Sequence, residues 1–255
     1  MHAGQGRPRA GTDCDSYGTG LTENPVGPPL AAFLFDVCGV LYDDAVWRRW
    51  LFRLVTKMGI DTHFDAFFAL FDRDYLAVVG QSDADYWQAL RRYLRDIGLG
   101  PGTIDEVVAA GRPRRRDWEA TIRLLPGVRD TLGRLATRGV PLGVVCTSAI
   151  PGRSLARRIR QLGLESLFEG TSEACGDGGR THPEALVQHA RRLHVTPDKV
   201  GFVSSSVLAR QHCQAAGLRV IAIAPATVEL DCIQIDHFSG LVALSRESDR
   251  PRLAG

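Results

Sequence analysis

No two cysteines of this 255-residue chain stand in a C-x-x-C spacing, and no short metal-ligand spacing appears. The six that are present, Cys14, Cys38, Cys146, Cys175, Cys213 and Cys232, therefore read as free thiols of a reducing, cytoplasmic protein. The first 29 residues lack the apolar segment of a signal peptide. The longest apolar run, Leu30 to Leu41, contains Asp36 and is too short to span a bilayer, so no membrane partner is expected. An excess of one charge is missing too. The formal net charge is +2, which gives no reason to expect nucleic acid. The cluster Arg112, Arg114, Arg115 and Arg116 has no interleaved aromatics and reads as a solvated helix start. There is no internal repeat.

What is present is ordinary for a globular protein: 44% hydrophobic and 24% charged residues. The length suits one large domain, or a core with a small insertion. Residues 1–29, rich in Gly, Pro, Thr and Asp, read as a disordered tail or an extension upstream of the natural start, and 246–255 as a second, charged tail. Between them, apolar strand-like runs alternate with helical stretches. The runs are Ala31 to Phe35, Val140 to Val145, Lys199 to Val203 and Arg219 to Ile223. Runs this apolar fit strands covered on both faces. Before the second, Val128, Leu132 and Leu135 share one helical face and Gly139 supplies the stop. The expected fold class is α/β, a Rossmann-like parallel sheet with right-handed crossovers.

Residues 44–124 break the alternation. Trp47, Trp50, Leu51, Leu54 and Met58 form one helical stripe, and Phe64, Phe67, Phe68, Phe71 and Tyr75 another. Ser82 with Asp85 resembles a capping box ahead of Trp87, Leu90, Leu94 and Ile97. The expected organisation is thus a core of 30–43 and 125–245 with an inserted α-helical cap over 44–124. A cap excludes water and selects substrate.

Chemistry is expected at the carboxyl ends of the strands. Asp36 leaves the first apolar run there, where a carboxylate must find donors or solvent. The segment Phe35-Asp36-Val37-Cys38-Gly39-Val40-Leu41-Tyr42-Asp43 resembles the first motif of the haloacid dehalogenase superfamily, and the likeness extends over roughly residues 31–225. The resemblance makes Asp36 a nucleophile that forms a covalent ester. Phosphatase members carry a second Asp as general acid/base where this chain has Cys38. The second motif, a hydroxyl that holds the substrate, falls at Cys146, with Thr147 and Ser148 just after it. The third, a Lys, is replaced by Arg180, which can orient the nucleophile with two hydrogen bonds although Arg and Lys are not equivalent. The fourth, Gly-Asp with a second Asp four residues on, becomes Ser204, Ser205 and Ser206 followed by Ala209.

These substitutions separate two chemistries within the resemblance. Mg²⁺ phosphatases hold the ion with the fourth-motif acids, and a hard cation wants about six oxygens. Loss of a general acid is worth about 10²–10⁴ in rate. The 2-haloacid dehalogenases lack the second Asp, use no metal and read Val-Ser-Ser-Asn where this chain reads Val203-Ser204-Ser205-Ser206. Their cap arginine has its one candidate in Arg73. The expectation is a metal-independent hydrolase without cofactor, acting on a small-molecule substrate, with Asp36 and Arg180 catalytic. Cys38, Cys146, Thr147, Ser148, Ser204, Ser205 and Ser206 are the substrate-binding candidates. Two alternatives stand beside it. One is a catalytically degenerate relative that binds a small molecule or a protein. The other is thiol chemistry at Cys38 or Cys146, with His182 as the nearest histidine and Cys175 close to Arg180. A homodimer is compatible with each.

Overall fold

A computed structural model describes residues 27–76, 83–147, 152–169, 171–173, 183–223 and 232–246. Its centre is a six-stranded sheet. The strands are β1 (Ala32–Asp36), β2 (Leu142–Cys146), β3 (Thr171–Glu173), β4 (Val200–Val203), β5 (Arg219–Ile223) and β6 (Ile233–Ile235), in the order β3-β2-β1-β4-β5-β6. Every pairing is parallel. This is the α/β, Rossmann-like core expected from the apolar runs. The three-residue strands β3 and β6 lie at the two edges and add to it.

The alternation within β1 explains the two covered faces. Phe33 and Phe35 point into a cluster with Val128, Leu132, Leu135, Leu155 and Ile159. Ala32 and Leu34 point the other way, onto Leu186, Ala190, Phe202 and Val220. Helix α5 (Val128–Thr137) and helix α6 (Gly152–Gln161) supply side chains to the first cluster. Helix α7 (Pro183–Arg192) and helix α8 (Val207–Ala215) supply the second. The central strand consequently has no side chain in water.

Between β1 and α5 the described residues form helices and no extended strand. These are α1 (Ala45–Lys57), α2 (Phe64–Leu70) running into a π turn at Phe71–Leu76, α3 (Asp83–Asp96) and α4 (Pro101–Thr121). They enclose a core of their own, in which Trp47, Phe67, Phe71, Trp87 and Tyr93 are buried. Its polar tips are satisfied inside: the Trp47 indole donates to the Tyr86 hydroxyl at 3.0 Å, and the Tyr93 hydroxyl to the Phe67 carbonyl at 3.0 Å. Ser82 of the expected capping box lies outside the described residues.

The arginine cluster is largely solvated, with Arg112, Arg114 and Arg116 exposed, but it is not a helix start. It lies within α4, where the Arg115 guanidinium stacks 3.6 Å from the Tyr86 ring centre and Arg112 lies 5.8 Å from that of Trp87. These guanidinium–ring contacts are not revealed by a count of charges. Among the described residues no helix is long and apolar enough to cross a membrane.

Candidate active site

The sheet order builds the site. β1 lies between β2 and β4, with Asp36 opposite Val145 and Phe35 opposite Val203. The residues leaving the three strands therefore meet. Asp36 is 2% exposed, and its carboxylate accepts four hydrogen bonds. Oδ1 takes the Val37 amide at 2.8 Å and the Thr147 amide at 3.3 Å. Oδ2 takes the Ser204 hydroxyl at 2.9 Å and the Thr147 hydroxyl. A carboxylate has about four lone-pair positions, so this set fills them. Burial pushes the carboxyl above the ordinary aspartate range. The bonds from Thr147, Ser204 and Val37 pull it down without cancelling the burial.

The serine run divides its labour. Ser204 is buried, donates to Asp36 and accepts from the Ser206 amide at 3.1 Å. Ser205 is exposed, and its hydroxyl donates to the Cys38 carbonyl at 3.2 Å. The turn after Cys38 needs a glycine, since Gly39 has φ +70° and a Cβ there would collide with the Ser205 hydroxyl. Ser206 caps α8, accepting from the Ala209 amide at 3.3 Å. Its side-chain oxygen is thus turned to the helix.

Between Cys146 and Thr147 the structure places the hydroxyl of Thr147 on Asp36. Cys146 is 1% exposed and packs in the apolar cluster beneath, a correction to its place among substrate-binding residues. Cys38 is partly exposed at the rim, with Sγ 3.3 Å from the Tyr42 hydroxyl. Arg73 is corrected as well: its side chain is 68% exposed and pairs with its neighbour Asp74 at 2.6 Å. Ser148, Cys175, Arg180 and His182 lie outside the described residues.

Two buried arginines had no signal in the sequence. Arg210, on α8, donates to the Ser204 carbonyl at 3.0 Å and so holds the serine turn from behind. Arg158, on α6, donates to the Tyr42 hydroxyl at 3.2 Å and reaches Glu119 of α4 at 3.6 Å. A third arginine, Arg48 on α1, bridges Asp44 at 3.1 Å and Asp72 at 2.7 Å. The Arg48–Asp44 pair has helical i, i+4 spacing, but the Arg48–Asp72 and Arg158–Tyr42 contacts and the burial of Arg158 and Arg210 are not encoded by spacing.

With this geometry in view, comparison with known proteins is decisive at the family level. A family model described as haloacid dehalogenase-like hydrolase matches residues 30–217. The chain belongs to that family. Phosphoglycolate phosphatase of Escherichia coli (strain K12) is 32% identical over 97 residues, a stretch that covers 37% of this chain and 37% of that enzyme. The solved structure of a dehalogenase superposes with a TM-score of 0.60 at 18% identity, covering 86% of this chain and 98% of the other. A beta-phosphoglucomutase of Clostridium difficile gives 0.58 at 18% identity, covering 83% and 93%. At these identities the structural likeness speaks for the fold alone, and the fold houses different reactions.

Phosphatase chemistry in such a fold implies a divalent cation. The described residues do not suit one. Ser205 and Ala209 stand where the resemblance puts acids, the Asp36 oxygens already accept four donors, and the Cys38 carbonyl accepts Ser205. Among the described residues no group of three or more His, Cys, Asp or Glu is placed to hold a metal ion.

Proposed function

We propose that this haloacid dehalogenase-like hydrolase acts on a small organic substrate through Asp36, without a divalent cation, in the manner of a 2-haloacid dehalogenase. The observation that carries the reading is the donor set around Asp36. Hydroxyls and amides occupy the oxygens where a metal-dependent relative would need the ion. Hydrogen-bond donors can orient a carboxylate for attack at carbon, whereas a phosphoryl group brings charge that a cation must offset. The Thr147 amide bond, at 3.3 Å, is longer than the Val37 amide bond, at 2.8 Å, so Oδ1 is the oxygen that most readily frees a lone pair. The family resemblance gives Arg180 the role of the cation that would draw the carboxylate into its charged form. The helices of 45–121 serve as the cap that keeps water from the ester until hydrolysis.

A second reading is favoured by one observation: Asp36 is buried with its acceptor positions full, as a structural carboxylate would be. The protein would then bind a small molecule or protein partner without turning it over.

Assays of 2-haloacids, phosphate esters and acyl esters, with Mg²⁺ and with chelator, separate the readings. Turnover of a 2-haloacid that survives the chelator and disappears in Asp36→Asn is the expected result. Phosphate-ester turnover that needs Mg²⁺ would contradict it. Binding without turnover across the panel would favour the second reading.

A further inference from the structure

A cluster beside the Asp36 site is used by neither reading. Arg158 of α6 is 6% exposed, Tyr42 is fully buried, and Cys38 stands partly open at the end of the row. The row has a direction. A guanidinium has donors and no acceptor. The Tyr42 oxygen, 3.2 Å from Arg158, accepts from it, which leaves the single Tyr42 O–H available to the Cys38 sulfur 3.3 Å away; a thiolate there has no proton of its own, so in that state Tyr42 is the donor. The arrangement is held from several sides. The guanidinium lies 5.3 Å from the Tyr42 ring centre and 5.6 Å from that of Trp118, and Glu119 pairs with it at 3.6 Å. A buried cation fixed in this way cannot swing off to water and release the phenol.

We propose that Arg158, Tyr42 and Cys38 form a directed hydrogen-bond relay that makes Cys38 a nucleophilic site for small soft electrophiles. A donated O–H favours sulfur with its lone pairs free, and most strongly when the sulfur is anionic. The thiol proton leaves to solvent through the open rim. The thiolate then attacks an electrophilic carbon, a C–S bond forms, and the leaving group departs with its electron pair. Among the described residues, the charged and titratable groups around Cys38 include Asp36 and Tyr42 on its own segment, Cys146 at the end of β2, Arg158 on α6 and Arg48 on α1. Cys146 and Cys38 both act on Tyr42, and Cys38 acts on Arg48. Glu119 sits behind Arg158 and takes up part of its charge. The inference does not depend on Asp36 as nucleophile, because the thiol is read with no substrate present.

The test is alkylation of the full chain by iodoacetamide at about pH 7, with each cysteine followed separately by peptide mass spectrometry. Tyr42→Phe removes the relay oxygen and keeps the ring. Cys38 should label about three- to tenfold more slowly in that variant, because the lost donor lowers the thiolate fraction while a more basic sulfur regains part of the rate. Arg158→Lys should retain most of the wild-type rate and Arg158→Met should lose it. Equal rates in wild type and Tyr42→Phe overturn the proposal, as does a Cys38 that stays unlabelled in the folded protein. Cys213, fully buried, reports folding by remaining unmodified. If Tyr42→Phe exposes Cys213, the wild-type rate decides as a function of pH. A midpoint below that of a free thiol, about 8.5, supports the relay, and one at or above it overturns it.

Discussion

At the scale of single residues, Asp36 joins three strand ends through one carboxylate. Ser204 from β4 and Thr147 from β2 both donate to Oδ2. Removing a buried donor to a carboxylate costs about 1–3 kcal/mol. Ser204→Ala is therefore expected to lower stability by about that amount at neutral pH, read as a shift of the urea midpoint. An unchanged midpoint would mean that Ser204 does not hold the carboxylate. Asp36 itself was legible in the sequence, since a carboxylate at the end of an apolar strand is rare and the neighbouring glycine and leucine fit one motif. The fate of its neighbours was not. Cys146 and Thr147 are adjacent, and a single step of register decides which faces Asp36. Only the pairing of Asp36 with Val145 fixes that step. The capping role of Ser206 was not legible either, since it depends on where α8 begins. Arg158 and Arg210 are two of many arginines in an arginine-rich chain, and only burial distinguishes them.

At the scale of elements, the apolar runs gave β1, β2, β4 and β5 because runs of three to five consecutive buried residues leave a strong pattern. The strands β3 and β6 have three residues each and lie at the edges, too short a run to leave one. The helices of the insert were legible from their aromatic stripes, yet their packing turns on a small residue. Gly111 lies inside α4 against Trp87, and a Cβ there would stand 2.9 Å and 3.1 Å from two ring carbons, Cη2 and Cζ3. Gly111→Ala gains about 1 kcal/mol of helix propensity. It loses about 1–3 kcal/mol to overpacking, because Trp87 is buried and cannot withdraw. A net loss of thermal stability is expected, with the near-ultraviolet dichroism of the tryptophans altered. A gain in melting temperature would show that α4 can shift away from Trp87.

At the scale of the whole molecule, two buried groups give the stability opposite pH slopes. His189 on α7 is buried near Arg192, and both effects pull its imidazole down to about 4, burial the more strongly. The folded value is below the unfolded value of about 6.5, so its contribution is present above about 6.5 and is lost as pH falls through about 4. Asp36 runs the other way. Its folded value is raised, so its contribution is fully present below about 4, the unfolded value, and is lost as pH rises through the folded one. His189→Gln should flatten the loss of stability on acidification, while Asp36→Asn should reduce the loss on going from about pH 4 upward. Urea midpoints measured across that range check both slopes. Slopes unchanged in both variants would mean that neither group titrates with folding.

The central claim, that Asp36 attacks the substrate and is released by water, is tested most directly by the fate of one oxygen atom. A single turnover of a 2-haloacid is run in heavy-oxygen water with chelator present, and the peptide carrying Asp36 is weighed. If Asp36 forms the ester and water attacks its carbonyl carbon, the Asp36 carboxylate acquires one heavy oxygen, and the first product molecule leaves with a light oxygen from the protein. Heavy oxygen in that first product with an unlabelled Asp36 would mean that water attacks the substrate itself, and the account would be wrong.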